Sequence, residues 1–165
     1  MSNPSFYSLL NFGELVGDVI GSVIATPPIT TTASIVCNRD VHAGRTITIN
    51  AAAGCAVTLP AATGTGSIYR FFIGTTITSN STTIKVANAT DVMSGRAYVI
   101  SDNAAAVLGY ATGATDDTIT LNGTTLGGFA GDLIEIIDAI AGTYLVSVRT
   151  KATGTEATPF SATVS

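Results

Sequence analysis

From residue 29 onward, apolar and polar residues alternate with a period of two. The runs 33–37, 45–50, 56–59, 68–74, 82–87, 96–101, 106–110, 118–122, 133–138 and 144–150 are rich in β-branched and aromatic residues. They are separated by clusters of Gly, Asn, Asp and Ala. Ten short runs with this spacing predict a β-sandwich or barrel. Thr46-Ile47-Thr48-Ile49, Thr83-Ile84-Lys85-Val86 and Thr118-Ile119-Thr120-Leu121 each place Thr outward and an aliphatic inward, as a half-buried antiparallel strand requires. No strong helical pattern lies between the runs, which argues against a βαβ fold.

Residues 1–30 differ. Phe6, Leu9, Leu10, Leu15, Val16, Val19, Ile20, Val23 and Ile24 recur at roughly helical spacing. Gly13, Gly17 and Gly21 weaken that helix, each costing about 1 kcal/mol relative to Ala. Thr26-Pro27-Pro28 ends it, because proline cannot donate a backbone hydrogen bond and restricts the residue before it. The segment reads as an apolar arm tied down by its own domain, by a sister subunit or by a larger surface.

Two stretches echo each other at an offset of about 62 residues. Val57-Thr58-Leu59-Pro60 and Ile119-Thr120-Leu121-Asn122 each lead through a Gly-rich loop into a more apolar run, 69–73 and 133–137. In a Thr- and Gly-rich chain this is either a duplication or coincidence. The segment after Ala152 reads as an extended tail. Pro159-Phe160 is either a small anchor on a neighbour or part of a frayed terminus.

The 165 residues include 27 Thr, 23 Ala and 17 Gly, and only 11% are charged, against about 25% in an ordinary domain. Lys and Arg number 7 against 11 Asp and Glu, for a net charge of -4. Phosphate binding needs clustered Lys and Arg, so nucleic acid is not an expected partner. The first 38 residues hold no Lys or Arg, whereas a secretory signal needs a basic start. Glu14 and Asp18 interrupt the apolar stretch, and no run reaches the 18 or more apolar residues of a spanning helix. The chain is expected to be made in the cytosol, without a membrane partner. Cys37 and Cys55 could pair, but two small buried hydrophobes are the plainer reading.

Candidate chemistry is thin. Asn38-Arg39-Asp40-Val41-His42 holds the only His, but no Gly-x-Ser-x-Gly elbow supports a triad with it, and turn polarity explains the cluster equally well. Asp132, Glu135 and Asp138 are oxygen ligands of the kind that suit Ca²⁺. Glu135 falls on the opposite face of the run, however, and a solvated charged strand is the simpler reading. Gly64-Thr65-Gly66 resembles the start of a dinucleotide fingerprint but lacks its third Gly, helix and acidic partner, and a hairpin loop explains it better. Arg70, Arg96 and Arg149 stand alone in strand-like runs, where they could pair with acids across subunits. Neither enzyme activity nor a cofactor is expected, and the function is expected to lie in surfaces and assembly.

Residues 57–71, from Val57-Thr58-Leu59-Pro60 to Tyr69-Arg70-Phe71, look like structural proteins of tailed bacteriophages. So do 85–95, 117–128 with Gly131-Asp132, and the closing 152–160. The resemblance is to capsid decoration (cement) proteins and head fibres, and it spans roughly residues 45–162. It implies a jelly-roll-like β-sandwich, usually trimeric, sitting on the capsid surface. The full expectation is an all-β antiparallel sandwich over 31–151, with an apolar arm over 1–30 that is partly helical and an extended tail over 152–165. The major capsid protein and a homotrimer of itself are the expected partners, and the virion, assembled in the host cytoplasm, is the expected location. Phe6, Leu9, Leu10, Phe12, Val16 and Ile20 of the arm are the expected capsid contacts, and Arg70, Arg96 and Phe160 the expected subunit-interface residues. The alternative is a fibre domain that binds a host receptor or glycan.

Overall fold

Strands in the first half of the chain change sheets at every step. The computed structural model describes residues 27–103 and 106–164. β1 (Ile29–Thr31), β3 (Thr46–Ile49) and β5 (Ile68–Ile73) lie in one sheet. β2 (Ile35–Val36), β4 (Ala56–Thr58) and β6 (Thr82–Lys85) lie in the other. Each strand pairs in parallel with the strand two places on: Ile29 with Ile47, Ile47 with Phe71, Ile35 with Val57, Val57 with Ile84. A parallel pair needs a crossover connection. Here the crossover is a strand of the opposite sheet, so residues 29–85 wind as three turns of a flattened coil.

The second half ends that coil with antiparallel strands. β9 (Thr118–Leu121) runs against β6 and β10 (Leu133–Ile140) runs against β5. β11 (Thr143–Ala152) makes a hairpin with β10 and pairs in parallel with β7 (Val92–Ser101). β8 (Val107–Ala111) borders β7, and β12 (Phe160–Ser161) borders β9. The seven-stranded sheet reads β1-β3-β5-β10-β11-β7-β8, and the five-stranded sheet reads β12-β9-β6-β4-β2.

The fold is all-β, as the period-two pattern predicts, and every one of the ten expected runs contains a strand. The expected antiparallel pairing is corrected: both sheets are mixed. Alternation records which face is buried and carries no information on strand direction, so it reads the same in a coil as in a jelly roll. β1 and β12 were not foreseen, being only three and two residues long. The two echoing stretches map to β4–β5 and β9–β10, each crossing from the five-stranded to the seven-stranded sheet.

The inward residues of both sheets make one core. Ile47, Tyr69, Phe71, Ile134 and Val148 from one sheet meet Val57, Ile84, Ile119 and Leu121 from the other, all fully buried. The Tyr144 hydroxyl, reaching through this layer, donates to the Pro60 carbonyl at 2.8 Å. Cys37 and Cys55 are buried free thiols. Among the described residues, every buried side-chain nitrogen and oxygen has a hydrogen-bond partner.

Candidate functional site

Four buried aspartates organise the loops. Asp138 lies at an inward position on β10 and is 3% exposed. Its Oδ1 accepts from the backbone N–H of Thr63 (3.0 Å) and Gly64 (2.7 Å). Its Oδ2 accepts from the Thr65 N–H (3.0 Å) and hydroxyl (2.6 Å). Successive N–H groups of the loop, from Thr63, Gly64 and Thr65, cradle an anion here, and that anion is the chain's own carboxylate. Asp132 accepts from the N–H groups of Gly128, Phe129 and Lys151 and from the Thr150 hydroxyl. Asp117 receives the N–H of Thr163 (2.9 Å) and Val164 (3.1 Å), fastening the C-terminal segment. Asp91 receives the Ala62 N–H at 2.8 Å.

These carboxylates replace the expectation of a solvated, charged strand. Asp132 and Asp138 point inward to donors, while Glu135 lies on the opposite face and accepts from Arg70 Nε at 2.8 Å. Burial pushes the Asp138 carboxyl up, but the Thr65 hydroxyl and the three N–H groups together outweigh it and hold it below its ordinary value. Asp117 is held down in the same way, against burial, by Thr163, Thr118 and Val164. Among the described residues, no three His, Cys, Asp or Glu side chains gather as a metal-binding group. His42 ends the single helical turn α1 (Arg39–His42), where its Nδ1 accepts the Asn38 N–H at 2.9 Å. Asn38 caps the same turn by accepting the Asp40 N–H at 2.8 Å.

The outer face of the seven-stranded sheet has a different character. Strand registers set outward residues in rows across it. Phe72, Leu133, Arg149 and Tyr98 form one row, and Arg70, Glu135, Ser147 and Arg96 the next. Ile68, Ile137 and Leu145 form a third, and Lys151, Ile100 and Val107 extend the far edge. Tyr98 is 47% exposed, Ile100 55% and Val107 63%. Isolated surface apolar residues are ordinary, whereas a contiguous apolar patch marks an interaction site. A groove of about 610 Å³ runs along this edge between Tyr98, Ile100, Val107, Gly131, Arg149 and Lys151. The Lys151 ammonium stands 5.3 Å from the Phe129 ring centroid, a cation–π distance.

Four of the chain's seven Lys and Arg residues, Arg70, Arg96, Arg149 and Lys151, lie on this face; among the described residues Glu135 is the carboxylate in its outward rows, and the buried Asp132 lines the groove at its edge. Among the described residues, the one ion pair is Arg70–Glu135. The face is therefore apolar and basic on an acidic chain.

The sequence-derived candidates fall in different places. Arg70 and Arg96 sit two strands from β11 and next to it respectively, in the same row of this face. Phe160 is 5% exposed, in β12, and packs into the core of its own chain. That burial leaves no free ring to anchor a neighbour. The arm contacts Phe6, Leu9, Leu10, Phe12, Val16 and Ile20 lie outside the described residues. Sequence reading missed the surface residues Phe72, Tyr98, Ile100, Val107 and Leu145. Their signal was present as runs apolar in both phases, such as Tyr98-Val99-Ile100 and Tyr144-Leu145-Val146, where alternation alone requires every second residue to be polar.

Comparison with protein-family models, with curated proteins and with solved structures finds no match. The class defined by fold and surface is thus an all-β protein of two packed mixed sheets, one of which turns an apolar and basic face outward.

Proposed function

We propose that this chain is a non-enzymatic assembly protein that docks onto a larger protein surface. The observation that carries the reading is the outer face of the seven-stranded sheet, where exposed apolar side chains are interleaved with Arg96 and Arg149, which have no carboxylate partner among the described residues. Interfaces favour aromatic residues and Arg at their centre and disfavour Lys, Glu and Asp. Tyr98, Phe72, Arg96 and Arg149 have that composition. The specific form we favour is decoration of the outside of a bacteriophage capsid, as a homotrimer bound to the major capsid protein. It rests on the sequence resemblance over residues 45–162. In this reading the sheet face and the apolar N-terminal segment both contact the shell, and symmetric repetition turns weak contacts into firm attachment.

Purified particles, quantified by mass spectrometry against their major shell protein, test the proposal. A ratio near one supports whole-lattice decoration, and Tyr98→Asp with Leu145→Asp is then expected to abolish attachment of a folded protein. Absence from particles overturns it. A ratio far below one favours the second reading, a fibre domain that binds a host receptor or glycan. The exposed Tyr98 ring beside Arg149 and Lys151 in the groove gives that reading its own support.

A further inference from the structure

We infer that β8 is a self-pairing edge: two copies of this chain join their seven-stranded sheets by antiparallel pairing of β8 about a twofold axis at Gly109. The contact uses the edge of the sheet and leaves its outer face free for docking, so it goes beyond the preceding reading.

Strand length singles out this edge. The two sheets have four edge strands. β1, β2 and β12 are only three, two and two residues long, and shortness is one way in which natural sheets blunt an edge. β8 has five residues in unbroken register with β7. Residues 106–115 contain no charged residue and no Pro. The usual protections of a longer edge, which are a bulge, a proline or a charge, are thus missing from β8.

The hydrogen bonds at the two ends of β8 fix which backbone groups are free. The Ser101 N–H donates to the Ala106 carbonyl, and the Thr112 N–H donates to the Gly95 carbonyl. Bonded and non-bonded pairs alternate along an antiparallel ladder. Leu108 and Tyr110 therefore bond to β7, while Val107, Gly109 and Ala111 turn their N–H and C=O groups away from it. Among the described residues nothing bonds those groups. Setting Gly109 opposite Gly109 of a second copy sets each Val107 opposite an Ala111. All three pairs are then of the bonded kind, and each exchanges two hydrogen bonds.

The side chains suit the same register. Leu108 and Tyr110 are half-buried at the margin of the core. Across the axis Leu108 of one copy faces Tyr110 of the other in the closely spaced kind of pair, which completes the cover of both. On the outer face Arg96 lies in line with Ala111 and so with Val107 of the second copy, and no like charges are opposed. Gly109 itself is not explained by its own chain. Its φ lies outside the left-handed region, and a Cβ there would meet nothing within 4 Å. A glycine inside a strand weakens it and often marks the close approach of another backbone. Tyr98, the cross-strand neighbour of Gly109, is 47% exposed, and an aromatic ring beside an edge glycine shields its backbone.

The test is sedimentation velocity of the free full-length protein over the micromolar range, beside Gly109→Lys and Gly109→Asp. Both side chains enter open space, so both variants are expected to melt at the parent's temperature. On the axis, however, each sets a charge directly against its own copy. The parent is expected at twice the mass of either variant, whose pairing is weakened at least about a hundredfold. An equimolar mixture of the two variants is expected to restore the doubled mass, because a contact in which position 109 meets itself brings Lys against Asp. A parent that is monomeric throughout, an association that both variants keep, or a mixture that stays unpaired overturns the inference. Docking is read separately, on particles, so none of these outcomes decides it.

Discussion

Asp138 and Thr65 are 73 residues apart in sequence, and two hydrogen bonds to one carboxylate oxygen join them, from the Thr65 hydroxyl at 2.6 Å and its N–H at 3.0 Å. With the N–H groups of Thr63 and Gly64 on the other oxygen, one side chain of β10 fixes the loop between β4 and β5. Charge-assisted bonds of this kind are roughly twice as strong as neutral ones. Asp138→Asn keeps the shape but turns an amide NH₂ toward backbone N–H groups, which only donate, whichever way the amide is oriented. We expect a loss of about 3 kcal/mol in chemical denaturation, the sum of weakened bonds and unsatisfied donors. A loss below about 0.5 kcal/mol would show that the loop is held by other contacts.

The same carboxylates set the acid limit of stability. Asp117 and Asp138 have ordinary values of 3.8 and are held lower in the folded chain. A carboxyl depressed by folding contributes stability above its unfolded pKa and loses it as pH falls through the folded value. The melting temperature is therefore expected to change little between pH 7 and about 5, then to fall steeply below about pH 4. Asp138→Asn should show a shallower acid slope than the parent. Equal slopes would remove Asp138 from the titrating set.

Much of this architecture was legible in residues. Thr46-Ile47-Thr48-Ile49 reads as one outward and one inward row, and Ile47 and Ile49 are indeed fully buried. What failed to show was direction. Whether β3 and β5 run parallel depends on where the intervening chain travels, and nothing in the residues of β4 states that it belongs to the opposite sheet. Thr118 illustrates a second limit. Its position is outward by alternation, yet it is buried, because the C-terminal segment lies over it and Thr163 and Asp117 bond its hydroxyl. Asp138 could have been noticed from sequence as a charge on the inward phase of Ile134-Glu135-Ile136-Ile137-Asp138. Its partners could not, since three consecutive N–H groups have no side-chain signature. The docking face was hidden by an assumption, that outward residues of a half-buried strand are polar, which Tyr98, Ile100 and Leu145 violate.

The two thiols should be silent in the native protein. Burial pushes Cys37 up to about 12, and it also raises Cys55 against the lowering effect of the Thr82 hydroxyl. The thiolate is the reactive form, and neither sulfur is open to solvent. Incubation with a thiol reagent at pH 8 is expected to label neither residue in the native chain and both in denaturant. Rapid native labelling of either one would show that the sheet edge around β2 opens.

Backbone proximity gives a sharper contrast between two glycines. Both Gly123 and Gly142 adopt left-handed conformations, with φ of 74° and 77°. They differ in surroundings. A Cβ at Gly123 would lie 1.8 Å from the Ile77 carbonyl oxygen, whereas a Cβ at Gly142 would meet nothing within 4 Å. Gly142→Ala should therefore cost only the left-handed conformation, about 1 kcal/mol. Gly123→Ala adds a backbone collision that can be relieved only by moving the turn between β9 and β10. That turn is itself tied by the Gly123 N–H to Gly127 and the Ile77 N–H to Gly128. The expected loss is at least about 3 kcal/mol, enough to threaten a fold whose total stability is of the order of 5–15 kcal/mol. Urea denaturation of the two variants side by side provides the comparison. Equal losses would mean that the turn yields freely, and that the close approach of these loops contributes little to holding the two sheets together.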